Sequence, residues 1–178
     1  MKFLLFTPTA TDEVVALFTR VFSASEGEDE GRSIGHLVSS LIATTPADAL
    51  IGCVAKNGER IVGAIFFSRL TVPNGQRAFL LSPVAVASEV QGTGVGQGLI
   101  RFGLDQLRAR ETDLVFTYGD PAYYSKVGFV PVSEELVQAP YPLSQPIGWL
   151  GQSLEGNSIP AMQGRTECVP AFANPDYW

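Results

Sequence analysis

A mixed α/β domain, with an antiparallel meander running into a β-α-β unit, is what this chain predicts, and three observations carry that reading. Two dipeptides, Asn57-Gly58 and Asn74-Gly75, punctuate β-like apolar runs; Asn-Gly favours positive φ at both turn positions, so each reads as a tight hairpin turn. A glycine-rich turn over residues 91–98 stands between a β-like run and a helical one. A short apolar run at 113–118 follows that helix, and strand, helix and strand of these lengths imply parallel strands joined by a crossover. With 178 residues, of which 46% are hydrophobic and 17% charged, the chain has the apolar content for one core with a ligand cleft and too little charge for a disordered polymer.

The elements follow in order. Residues 1–6 are β-like. Thr9 followed three residues later by Asp12 reads as a capping signal ahead of Val14, Leu17, Phe18, Val21 and Phe22, whose spacing predicts a helix over about 11–23. Residues 25–31, with Glu26, Glu28, Asp29 and Glu30, read as an acidic loop. Ile34, Leu37, Val38, Leu41 and Ile42 then form one apolar stripe that stops before Pro46, which predicts a second helix. Strands are expected over 49–57, 60–72 and 77–86, a helix over about 95–110, and a strand over 113–118. Residues 131–178 hold seven of the twelve prolines and a single basic residue, Arg165, yet keep Tyr141, Trp149, Phe172 and Trp178. That mixture predicts an ordered wrapping segment. The expected organisation is therefore a domain over 1–132 with an extension over 133–178 packed on it.

Composition excludes several classes. No apolar stretch approaches the roughly 18 residues of a spanning helix, and residues 3–6 are too short for a secretory signal, so a cytoplasmic protein with no membrane partner is expected. Cys53 and Cys168 lie far apart and His36 is the only histidine, which predicts neither a zinc site nor a disulfide framework. The net charge is −6 and only three of twelve basic residues are lysines, so no nucleic-acid partner is expected.

The densest signal is Gln91-Gly92-Thr93-Gly94-Val95-Gly96-Gln97-Gly98. Glycines there let the backbone approach a ligand, and the unpaired N–H groups and dipole of a helix start favour a pyrophosphate. The dinucleotide pattern GxGxxG fails in every frame, since its last glycine falls on Gln97, Leu99 or Arg101. A Walker loop fails because no lysine lies between Lys56 and Lys126. The pattern that fits is Q/RxxGxG/A, filled by Gln91, Gly94 and Gly96. Here the chain resembles the GNAT N-acetyltransferase superfamily. Leu81 to Val86 looks like that family's central strand, and Tyr124-Ser125-Lys126-Val127-Gly128-Phe129 is similar to its YxxxGF segment. Gly119-Asp120-Pro121-Ala122-Tyr123-Tyr124 is similar to a subgroup of acetyltransferases of unassigned substrate.

The resemblance implies acetyl-coenzyme A as cosubstrate, with no metal. Pro83 cannot donate to a ladder. The strand pair is therefore expected to splay there, leaving backbone groups near Val84, Ala85 and Val86 free for an extended pantetheine arm, with the pyrophosphate on the N–H groups of Gly92, Thr93, Gly94, Val95, Gly96 and Gln97. Tyr124 carries the family's proton-donor role toward the departing thiolate. Asp120-Pro121 reads first as a helix cap with Pro at the first helical position. Glu26, Glu28, His36 and Asp120 are the candidates to contact an acceptor amine. The expected reaction is direct acetyl transfer to a primary amine of a small molecule, with the extension closing the acceptor side. A protein amine as acceptor, and a non-catalytic acyl-coenzyme A sensor, are the rivals. Trp149 and Trp178 are expected to pack in the core or in a homodimer contact rather than to line an acceptor pocket.

Overall fold

Seven strands in the order β1-β2-β3-β4-β5-β7-β6 make one mixed sheet in the computed structural model, which describes residues 1–178. The strands are β1 (Lys2–Leu5), β2 (Leu50–Asn57), β3 (Arg60–Thr71), β4 (Arg77–Val86), β5 (Leu114–Tyr118), β6 (Val130–Pro131) and β7 (Trp149–Ser153). The helices are α1 (Thr11–Glu26), α2 (Glu28–Thr44), α3 (Val95–Ala109) and the single turn α4 (Pro121–Tyr124). The mixed α/β class, the consecutive β2-β3-β4 meander and the parallel β4–β5 pair are as the sequence predicts. No helix is long and apolar enough to cross a membrane.

The chain divides into two compact bodies. The first holds residues 1–66 and 83–103. In it α1 and α2 form a hairpin broken only at Gly27, whose φ of 100° ends one helix and starts the next. The acidic loop of the sequence reading is therefore helical: Glu26 is the last residue of α1, and Glu28, Asp29 and Glu30 are the first turn of α2. Carboxylates there complement the helix dipole, a reason for their clustering that periodicity alone does not reveal. Thr9 is not the cap of α1 either. A 3-10 turn at Pro8–Ala10 precedes the helix, Ala10 takes the cap position, and the Thr9 hydroxyl bonds that of Thr7 at 2.9 Å. The helices cross closely because Gly31 and Gly35 face Ser23 and Thr19. A Cβ at Gly31 would run into Ser23 Oγ and stand 2.6 Å from the Thr19 carbonyl. Below them Val14, Leu17, Phe18, Leu37, Val38 and Leu41 are buried, and Phe66 packs edge-on to Phe6 at 5.2 Å.

Both hairpin turns differ in detail from the expectation. In the first, the turn residues are Gly58 and Glu59, and only Gly58 has positive φ, at 62°. That is the pattern of a type II′ rather than a type I′ turn. In the second, the Gly75 N–H closes on the Val72 carbonyl at 3.1 Å across Pro73-Asn74, and Asn74 Oδ1 accepts from the Gln76 N–H. Pro at the first central position presets a turn of this kind.

The second body holds residues 67–82 and 104–178. Its strand β5 is paired on both edges, parallel to β4 from Ala78↔Leu114 to Leu81↔Thr117 and antiparallel to β7 from Leu114↔Ser153 to Tyr118↔Trp149. Burial on both faces explains its near-continuous apolar run. The Pro-rich segment is ordered, as expected, but it also supplies β7, a strand that its composition conceals. Gly151 sits mid-strand because a Cβ there would meet the Phe116 ring at 2.9 Å. Trp149 is wholly buried, stacks on Phe116 at 5.2 Å and donates its indole N–H to the Val137 carbonyl. Trp178 is buried against Tyr118 at 6.0 Å. The short edge strand β6 ends in Pro131, which lacks the donor another strand would use.

Candidate functional site

In the first body, β4 runs to Val86, a 3-10 turn at Ser88–Val90 follows, and the glycine-rich turn leads into α3. Burial along β4 changes character at Ser82. Residues 78–81 are all buried, whereas Ser82, Val84 and Val86 are half-buried and Pro83 and Ala85 buried. A strand that alternates in this way presents one face, here that of Val84 and Val86, to open space. Gly92 and Gly94 have φ of 76° and 88°, and nothing lies within 4 Å of a Cβ added to either. Both conformations suit glycine, and the space over the turn is clear. The first i to i−4 bond of α3 is that from the Gly98 N–H to the Gly94 carbonyl, at 3.0 Å. The N–H groups of Val95, Gly96 and Gln97 therefore project from the helix start without intrahelical partners. Such an end, next to an uncrowded turn, is suited to an anion.

Two side chains of the motif serve the loop itself. Gln91 Nε2 donates to the Val86 carbonyl at 2.9 Å, so that carbonyl is occupied rather than free as the sequence reading expected, and the Thr93 hydroxyl donates to the Val90 carbonyl. Gly98 is glycine for a structural reason, since a Cβ there would meet the Phe3 ring at 2.7 Å.

In the second body the chain leaves β5 through Gly119 into α4. Asp120 caps that turn: its Oδ1 accepts from the Ala122 N–H at 2.9 Å, with Pro121 at the first helical position, as the sequence reading has it. Tyr124 closes the turn. A Cβ at Gly119 would stand 2.7 Å from Tyr124 Cε2, so only glycine lets the ring lie against this backbone. Tyr123 packs edge-on to it at 5.0 Å and Phe129 at 5.8 Å. Burial pushes the Tyr124 phenol up to about 12, with Tyr123 and Asp120 adding to the effect and the nearby Thr117 hydroxyl opposing it. At neutral pH this phenol is therefore fully protonated.

Beside Asp120 lies a cavity of about 380 Å³ lined by Tyr118, Gly119, Asp120, Pro121, Ser144, Gln145, Ile147 and Gly148. The Tyr118 hydroxyl holds its far wall: it accepts from the Gln145 N–H at 2.6 Å and lies 3.1 Å from Ser144 Oγ. Of the four acceptor candidates, Asp120 alone lines this cavity. Glu26, Glu28 and His36 are exposed at the end of α1 and on α2. Sequence reasoning missed Tyr118, Ser144, Gln145 and Ile147 as lining of this cavity. Tyr118 reads as an ordinary strand residue, and the others sit in a segment with no periodicity to place them.

Comparison with known proteins bears on the family and the fold. The family model described as an acetyltransferase (GNAT) domain matches residues 5–132. The uncharacterised N-acetyltransferase YjhQ of Escherichia coli (strain K12) is 33% identical over 164 residues, covering 89% of this chain and 84% of that protein. Among solved structures, the GNAT family N-acetyltransferase YhbS of Escherichia coli, in complex with CoA, superposes with a TM-score of 0.81 at 25% identity over 97% of this chain and 92% of that one. A GNAT family acetyltransferase from Brucella melitensis in complex with acetyl-CoA gives a TM-score of 0.74 at 25% identity over 96% and 97%.

Proposed function

Because the chain belongs to the GNAT acetyltransferase family, and is thus an acyltransferase, we propose that it moves the acetyl group of acetyl-coenzyme A directly to a primary amine of a small molecule, with both substrates bound at once. The observation that carries this reading is the open turn at Gly92 and Gly94 running into the bare N–H groups of α3. In this reading those groups hold the diphosphate, while Gln91 and Thr93 shape the turn from within. The edge of β4 beyond Leu81, where the parallel register with β5 ends, receives the pantetheine arm from Val84 onward.

Holding a thioester beside an amine makes the attack nearly unimolecular, an effect worth roughly 7–11 kcal/mol when the geometry is good. A lysine-like amine with pKa near 10.4 costs about 4.6 kcal/mol to deprotonate at neutral pH, and an α-amine near 8 only about 1. A main-chain N–H near Val84 stabilises the oxyanion of the tetrahedral intermediate. The neutral Tyr124 phenol gives its proton to the sulfur as the C–S bond breaks, and the resulting phenolate is reprotonated, through water, by the proton that the attacking nitrogen sheds on becoming an amide.

The small-molecule acceptor is argued from the cavity beside Asp120, whose volume of about 380 Å³ suits a metabolite-sized ligand. One carboxylate provides its counter-charge, and Tyr118 and Ile147 provide apolar contact. The test is thiol release from acetyl-coenzyme A across polyamines, amino acids, aminoglycosides and short peptides. At least one small amine is expected to turn over, and Asp120→Asn, which keeps the helix cap, should raise its KM several-fold with kcat little changed. Turnover confined to peptides would overturn the small-molecule acceptor. A crystal soaked with acetyl-coenzyme A in which the glycine turn stayed empty would overturn the cofactor placement.

A further inference from the structure

The cavity beside Asp120 has a single charged residue in its lining, Asp120 itself, and several of its other polar groups already have partners. The Tyr118 hydroxyl accepts from the Gln145 N–H and shares a hydrogen bond with Ser144 Oγ. The Gly148 N–H donates to the Gln145 carbonyl at 2.8 Å, and the Gly148 carbonyl accepts from the Gly119 N–H at 3.0 Å. Asp120 uses Oδ1 to cap the Ala122 N–H, yet a carboxylate offers about four lone-pair sites and keeps capacity for an ammonium group.

The rest of the wall is apolar. The Tyr118 ring is held by Trp178, stacked on it at 6.0 Å and 13°. Gly148 lies against the same ring, where a Cβ would stand 3.2 Å from it. Pro121 and Ile147 complete the surface. Ile147 is 72% exposed, more than any other large hydrophobic side chain of the protein, so little of it packs within the fold.

We infer that the acceptor is a monoamine with an apolar body, a short alkyl- or arylalkylamine, and that Ile147 selects against a second charge. The ammonium faces the Asp120 carboxylate, and the body lies against Tyr118, Pro121 and Ile147. A second ammonium would meet Ile147 with no counter-charge, and an α-carboxylate would meet the like charge of Asp120. Both arrangements penalise the doubly charged relative, which is how a site rejects a close analogue. The inference rests on the small-molecule acceptor proposed above and narrows it to one chemical class.

Matched pairs of amines test it by thiol release from acetyl-coenzyme A. The pair butylamine and 1,4-diaminobutane isolates a second ammonium, and the pair 2-phenylethylamine and phenylalanine isolates a carboxylate. In each pair kcat/KM for the monoamine should be at least tenfold higher. Basicity does not produce the second difference, since an α-amine sheds its proton more readily than an alkyl one. Ile147→Glu, at an exposed position, should leave thermal unfolding unchanged and raise the ratio of diamine to butylamine kcat/KM about fivefold, the size of one solvent-exposed ion pair. Ile147→Lys should move that ratio the other way. If a doubly charged amine matches its monoamine, or if the ratio ignores the charge at position 147, the inference fails and the small-molecule reading stands. Thiol release with peptides alone, or with no acceptor at all, sinks both. Should either variant melt earlier, the matched pairs on the unaltered protein still decide the matter.

Discussion

Tyr124 is held neutral by its surroundings, and the sign of the effect follows from burial. Desolvation disfavours the phenolate, so the phenol, near 10 when unfolded, rises to about 12 in the folded protein. Between those values the folded state holds a proton that the unfolded state has lost. This contribution to stability is complete below about pH 10 and falls away as the pH climbs toward 12, by an amount on the order of 2–3 kcal/mol. Tyr124→Phe should therefore resist alkaline unfolding better than the parent, which denaturant titrations at pH 9 and 11.5 measure. The same variant should lose about 10²-fold or more in turnover while keeping its affinity for acetyl-coenzyme A. Asp120 gives a second expectation at this scale. Its cap to the Ala122 N–H survives in Asn but not in Ala, so Asp120→Ala should lose about 1 kcal/mol that Asp120→Asn retains, as read by chemical unfolding.

Two elements owe their placement to glycines. The α1–α2 hairpin admits no side chain at Gly31 or Gly35, yet the two positions differ in what obstructs them. At Gly35 the nearest atom is the Thr19 hydroxyl, the end of a side chain, whereas Gly31 also faces the Thr19 carbonyl of the main chain at 2.6 Å. Gly35→Ala should cost about 1–3 kcal/mol and be largely rescued by Thr19→Ala. Gly31→Ala should cost at least as much and stay unrescued by Ser23→Ala, since a backbone atom cannot be trimmed. Thermal unfolding of the four variants decides it. The glycine-rich turn behaves differently, because an added Cβ at Gly92 or Gly94 meets nothing and the cost is purely that of positive φ. Gly94→Ala should lose about 1–2 kcal/mol of stability and weaken coenzyme A binding by calorimetry, whereas the neighbouring Gln97→Ala should leave stability nearly unchanged.

At the scale of the whole molecule, the family match ends at residue 132, but the second body does not. Phe116 is stacked by Trp149, and β5 takes β7 as its partner along its full length. A chain cut after residue 132 should fail to fold, visible as loss of a cooperative transition and binding of hydrophobic dyes. Trp149→Ala should cost about 3–5 kcal/mol.

What the sequence by itself determined was everything encoded by local rules: the meander, from Asn-Gly turns between apolar runs; the strand, turn and helix about residues 77–109, from glycines at a helix start; the Asp120-Pro121 cap; and through Tyr124 and Gly94 the family. Those features depend on residues near one another along the chain, where periodicity and turn chemistry act. The tertiary structure alone decided that the acidic stretch is a helix start, that Gln91 is turned onto Val86, that a five-residue strand lies hidden among prolines, and that Tyr118, Ser144, Gln145 and Ile147 enclose one cavity with Asp120. The hidden strand and the cavity depend on partners distant along the chain, and a pairing over such separations leaves no period in the sequence to read; the helix start and the Gln91 contact lie within a few residues of their partners but turn on backbone angles that residue type alone does not fix.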